Sequence, residues 1–202
     1  MQWLRSHWYQ LGLAFAIILL GILVFWHGAL SDFRILLCIS LMTLFFHQFE
    51  EYQFPGYFPR MINTVLFKSE TPDHYPLNAN TALLINTIVG WGLYTLAIIF
   101  GEHAVWLAVI SVMISAGNVI AHTFLFNIKG KTFYNPGMAT ALLLFLPLVI
   151  YFFVFTSTHH LIGPWTLTLS IILGALLNYF GVLKPITLFS RENSPFVFQP
   201  FR

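Results

Sequence analysis

Six apolar runs, each about twenty residues long, succeed one another along this chain and dictate what it can fold into. They cover roughly 11–30, 33–53, 81–101, 104–126, 138–155 and 162–183. At about 1.5 Å per residue, each helix is long enough to cross about 30 Å of hydrocarbon. Only 8% of the 202 residues are charged, against roughly 25% in a soluble domain. So few charges cannot cover a water-facing surface, and the lipid bilayer is the expected partner. An aromatic content of 18% suits lipid-facing helices with interfacial belts. A net charge of +2 gives nucleic acid no electrostatic footprint. The single cysteine, Cys38, cannot form an internal disulfide.

The expectation is an all-α, polytopic bundle of six membrane helices forming one domain, 1–202. The first run follows Arg5 and exceeds the usual length of a signal-peptide core, so it reads as an uncleaved first helix. Short joints pair runs one with two, three with four, and five with six as hairpins. Lys and Arg set the orientation. Arg5, Arg60, Lys68, Lys129, Lys131, Lys184, Arg191 and Arg202 flank one side, and Arg34 alone flanks the other. Both termini are therefore expected in the cytoplasm, with the plasma membrane as the location. The sequence does not specify an oligomeric state.

The 54–80 connection opens with Pro55-Gly56, which must end the second helix. Phe58, Met61, Ile62, Val65 and Leu66 then recur at helical spacing, with Arg60, Asn63, Thr64 and Lys68 opposite. An amphipathic helix over 58–68 follows. It either lies on the inner leaflet, forming an entrance, or covers the end of the bundle.

Polar groups inside the runs gather in one layer. His47, Glu50 and Glu51 share a face of the second helix at i, i+3 and i, i+4. Asn118 and His122 do the same on the fourth. The second and fourth helices run in the same direction, and their histidines stand at nearly equal depth. Asn86, Asn178 and the segment Tyr134-Asn135-Pro136-Gly137 reach that layer from three other helices, with Pro136 expected near the first turn of the fifth. The other halves of the runs lack Asp, Glu, Lys, Asn and Gln. An ion path needs polar stations through the whole thickness, so a blind pocket is the better fit.

Buried ionisable groups are costly in a membrane. His47, Glu50, Glu51 and His122 form a plausible ligand set for zinc, or for iron or manganese. One glutamate could then act as a general base, with Tyr134 also catalytic. Asn86, Asn118, Pro136, Gly137 and Asn178 would support the ligands from behind. A Glu–His hydrogen bond that merely locks two helices is the alternative for any single pair.

His47-x-x-Glu50-Glu51, the later His122 and Tyr134-x-Pro136-Gly137 resemble the HXXEE-motif family of membrane proteins, which is described by these three features in this order. The resemblance covers roughly 15–155. It implies an integral membrane protein with the motif residues as candidate active site, and it names no substrate. A looser likeness is to the intramembrane CAAX-type proteases, which pair Glu-Glu with histidines and an asparagine. Their arginine four residues after the second Glu is replaced here by Pro55, which limits the analogy to pocket chemistry.

The sequence thus favours a metal-dependent membrane hydrolase acting on a lipid or lipid-linked small molecule at the cytoplasmic side. An oxidative iron enzyme would need more ligands, since di-iron bundles use about four carboxylates and two histidines. A transporter, sensor or assembly protein with a structural Glu–His network is the non-enzymatic alternative. A plain anchor would leave the concentration of polar groups in one layer unexplained.

Overall fold

The computed structural model describes residues 1–198, and every regular element among them is helical. Arg202, one of the cations used to orient the chain, lies outside the described residues. The helices are α1 (Gln2–Trp26), α2 (Asp32–Tyr52), α3 (Phe58–Val65), α4 (79–100), α5 (105–130), α6 (Met138–Thr158) and α7 (Pro164–Leu188). Five helical stretches are long and apolar enough to cross a membrane, with 79–130 counted as one stretch of 52 residues. That character marks a multi-pass membrane protein. A straight helix of 52 residues would reach about 78 Å, far more than a bilayer needs. The stretch instead doubles back at Gly101, whose φ of +50° breaks the helix. The fold-back puts the Tyr94 hydroxyl 2.7 Å from Ser115 Oγ, although 21 residues separate them.

Local chemistry sets the helix ends. Ser31 Oγ accepts from the Arg34 amide at the start of α2. Asn78 Oδ1 accepts from the amides of Asn80 and Thr81 at the start of α4. Pro164 occupies the first position of α7, where its missing N–H costs little. α1 begins at Gln2, well before its apolar run. Its first turns are held by Trp8, which is fully buried against Tyr52 of α2 and Trp91 of α4.

The bundle has two differently built ends. At the end of Gly101, α2, α4, α5 and α6 enclose an apolar core that includes Phe33, Leu37, Val109, Val112 and Phe152. The rim there joins Arg34 to Glu102 at 3.4 Å, and Ser31 also donates to Glu102. The N-terminus and residues 73–80 and 192–198 meet at the other end. Arg5 donates to Asn80 and stacks over Phe196, and Phe198 N–H donates to the Asp73 carbonyl.

The short helix α3 closes this second end. Phe58, Pro59, Ile62 and Asn63 are buried, and the Phe58 ring lies 5.6 Å from that of Phe126. Of its two expected placements, the geometry realises the cover over the bundle. Met61 and Leu66 on the same face are half-buried against the apolar cluster beneath. Asn63 fastens the following loop: Nδ2 donates to the carbonyls of Pro72 and Leu77, and Oδ1 accepts from the Leu77 amide.

Four helices contain a π-helical stretch: Ile85–Trp91, Ala121–Leu125, Ala141–Phe145 and Asn178–Leu183. All four fall in the half nearer the termini, where the polar residues lie. Wide turns of this kind cluster at functional sites because they displace side chains and free carbonyls.

Replacing Asn63 by Ala leaves three backbone groups without their partner. Each costs about 1–3 kcal/mol when buried. Thermal unfolding in detergent should show a clear drop for Asn63→Ala, and none for Thr64→Ala on the exposed face.

Candidate metal centre

His47, Glu51 and His122 come from two parallel helices and converge in the interior. All three are buried, and one ligand atom from each lies within 4.8 Å of the others. Glu51 Oε1 stands 3.2 Å from His122 Nε2 and 3.6 Å from His47 Nε2. Among the described residues neither Nε2 atom has a hydrogen-bond partner of good geometry. The imidazoles meet edge to face, 4.9 Å between centroids.

The opposite ring nitrogens fix the tautomers. Asn135 Nδ2 donates to the His122 carbonyl and to Asn127 Oδ1, so its Oδ1 is left to accept. That oxygen is 2.6 Å from His122 Nδ1, which must carry the hydrogen. Thr140 Oγ1 donates its one proton to Glu50 Oε2 at 2.6 Å and so accepts from His47 Nδ1 at 2.9 Å. With both Nδ1 atoms protonated, each neutral ring turns a bare Nε2 lone pair toward the Glu51 carboxylate. Three lone-pair donors confronting one another repel unless a cation or proton sits among them. Metal-binding histidines commonly donate their other N–H to a fixed acceptor, as both do here.

Glu50, expected among the ligands, points the other way. Its carboxylate accepts from the amides of Ala139 and Thr140 at 3.1 and 2.8 Å, from the Thr140 hydroxyl, and from Tyr134 Oη at 2.8 Å. It thereby caps α6, whose first turn offers free amides and partial positive charge. Tyr134, expected to be catalytic, donates to Glu50. Burial, followed by the bond to that carboxylate, raises the phenol above its ordinary pKa and keeps the donor proton in place.

Tyr134-Asn135-Pro136-Gly137 forms the turn that delivers Asn135 and Thr140. The Met138 amide donates to the Asn135 carbonyl at 3.0 Å, and Gly137 takes φ +96° and ψ −16°. These angles fit the third position of a type II turn, where glycine is favoured and proline precedes it. Pro136 thus lies in the turn before α6, not in its first helical turn, because Gly137 is the cap. Gly137 also packs against both imidazoles, and a side chain there would collide with His122 and His47.

The remaining expected residues surround a cavity of about 280 Å³ that His47 and Glu51 border. Asn118 and Asn178 line it. Asn178 Nδ2 also donates to the Met113 carbonyl at 2.9 Å, tying α7 to α5. Asn86 holds a polar ladder on the wall: it accepts from Gln48 at 3.0 Å and donates to Tyr52 Oη at 3.3 Å, while Trp91 donates to Gln48. The sequence singles out none of Thr140, Gln48 and Tyr52, and it marks Asn135 only as part of the 134–137 segment. Asn135 lies inside a motif already singled out, and Tyr52 directly follows Glu51. Thr140 carries no sequence signal, since only the fold puts it beside residue 47.

A family model described as a protein of unknown function with HXXEE motif matches residues 38–152. Comparison with curated proteins and with solved structures returned no match.

Gly137→Ala should displace both imidazoles and strain the turn, costing about 1–3 kcal/mol. A lowered melting temperature in detergent checks this cost. Thr140→Ser, which keeps the hydroxyl relay, should behave like the parent, whereas Thr140→Val should not.

Proposed function

The chain belongs to the HXXEE-motif family, a family of unknown function, and from that premise we propose that it is a metal-dependent membrane hydrolase for a lipid or lipid-linked substrate. The observation that carries this reading is the set of three lone-pair donors, His47 Nε2, His122 Nε2 and Glu51 Oε1, turned on one another in a buried site. Zinc fits a set of two imidazoles and one carboxylate, and iron or manganese are alternatives. Three protein ligands are the number used by catalytic zinc, whereas structural sites use four. A divalent cation held there supplies Lewis acidity toward a carbonyl or phosphoryl oxygen.

The protein's own groups divide the remaining work. Asn135 and Thr140 hold the imidazoles in the required tautomers. Glu50 and Tyr134 act through them as positioning residues, because both are spent on anchoring α6. Tyr52 borders the cavity beside Glu51. Its hydroxyl accepts from Asn86 and keeps its own proton for a substrate oxygen. Aliphatic walls of Leu44, Ile85, Val89 and Ile114 suit an apolar substrate arm.

The opposite half of the bundle argues against transport. It is packed with Phe33, Leu37, Val109 and Phe152, and the buried hydroxyls of Ser111 and Thr156 bond to carbonyls of their own helices. We further infer one domain with six crossings and both termini cytoplasmic. The fold-back at Gly101 and the excess of cations at the end holding the termini support that arrangement.

Elemental analysis of the purified protein should find about one metal equivalent, lost in His47→Ala and His122→Ala. Substitution of ligand-supporting residues typically costs 10–100-fold in affinity, so Thr140→Val should raise the metal dissociation constant, measured by competition with a chelator, by about that factor. A parent protein free of stoichiometric metal after metal-replete expression would end the proposal. For topology, a cysteine replacing Lys129 should react with a membrane-impermeant maleimide only after cells are opened, and one replacing Glu102 should react in intact cells.

A further inference from the structure

The cavity beside the candidate metal centre has mostly apolar walls, and between α5 and α7 it is bordered by residues that are also exposed on the outside of the bundle. α5 and α7 are clamped where Gly174 packs on Met113, Gly117 packs on Asn178, and Asn178 bonds to the Met113 carbonyl. Toward the termini, both helices then enter π-helical stretches, Ala121–Leu125 and Asn178–Leu183. Ile120, Ala121 and Leu125 border the cavity from α5, and Val182, Leu183 and Ile186 border it from α7. Ile120 is 62% exposed and Leu183 is 38% exposed, whereas Phe126 and Ile186 deeper in are each 3% exposed. Wall residues that face the cavity and also the exterior form the rim of an opening. That rim is aliphatic and lies on the flank of two membrane helices, so its exterior is lipid. The route from the aqueous end is shut by α3, with Phe58 and Ile62 forming part of the cavity's ceiling.

We propose that the slot between α5 and α7 is a lateral portal that admits one hydrocarbon chain from the bilayer, placing the polar head of a single-chain amphiphile at His47, Glu51 and Tyr52. The inference rests on reading the cavity as the substrate site, and it narrows the substrate from lipids at large to single-chain species. The width of the slot carries the restriction. The 280 Å³ cavity takes the head and first part of one chain, and the slot opens directly from the close α5–α7 contact at Gly117 and Gly174, which leaves a gap one chain wide. One fatty-acyl or isoprenyl chain fits, with its remaining length in the lipid. The polar lining includes His47, Glu51, Tyr52, Asn118 and Asn178, and the rim residues Ile120 and Leu183 add no hydrogen-bonding group.

The test is photolabelling of the full chain reconstituted in phosphatidylcholine vesicles. Three diazirine-bearing probes are compared: a long-chain fatty acid, an isoprenyl alcohol and a diacyl phosphatidylcholine. Labelled residues are mapped by mass spectrometry. At least one single-chain probe should label Ile120, Leu125, Val182 or Leu183 about fivefold more than it labels Ile172, a half-exposed residue on the outer face of α7. The productive probe identifies the chain type. Leu125→Trp, which fills the slot, should abolish the excess while leaving the label at Ile172, a control that the variant is inserted and folded. Equal labelling of slot and outer face by both single-chain probes, equal enrichment of the diacyl probe in the slot, or an excess that survives Leu125→Trp would each overturn the portal. His122→Ala separates this result from the metal reading. His122 does not border the cavity, so slot labelling should persist in that variant while its metal is lost. Metal without slot labelling refutes the portal alone, and slot labelling without metal in the parent refutes the metal centre alone.

Discussion

A single carboxylate of α2, buried against the first turn of α6, organises the interior of this protein. Glu50 receives two amides, a threonine hydroxyl and a tyrosine hydroxyl. Hydrogen bonds to a charged group contribute about 1.5–3 kcal/mol each, more than neutral ones. The α6 end is therefore fixed on α2, and with it the turn at 134–137. That turn brings Asn135 to His122 and Thr140 to His47. Both imidazoles are thereby oriented by residues that depend on Glu50, and Gly137 leaves them room to meet.

The convergence of His47, His122 and Glu51 then follows. Each histidine gives its Nδ1 proton to a fixed acceptor and has only a lone pair left for the interior. Such an arrangement is unfavourable for a plain helix–helix contact unless a proton is shared across the 3.2 Å between Glu51 and His122. It is favourable for holding a cation. The same logic explains adjacent glutamates with different work. Glu50 and Glu51 are 100° apart around the helix, so one faces α6 while the other faces the histidines.

Apolar packing and polar work occupy opposite halves of the bundle. The Gly101 half has regular helices and an aliphatic and aromatic core. The other half has four π-helical stretches, a cavity, and polar side chains from α2, α4, α5, α6 and α7. Helix α3 closes that half toward the termini. The slot between α5 and α7 begins where their close contact at Gly117 and Gly174 ends. Tight contact through small residues thus sets where the helices part, as is common for membrane helices packed without a hydrophobic driving force.

The sequence by itself determined the helical, multi-pass character, because hydropathy over about twenty residues depends on composition and length alone. It also determined that His47, Glu51 and His122 could meet, since helical spacing and depth are properties of the local chain. Tertiary structure decided what no local pattern encodes. An amphipathic stretch such as 58–65 has the same periodicity on a leaflet as over a bundle end, and packing alone selected the cover. Glu50 and Glu51 have the same chemistry, and only the position of α6 made one an anchor and the other a member of the centre. Thr140 gained its role 93 residues from its histidine, because hydrogen-bond partners in a folded chain are set by proximity in space and not along the sequence.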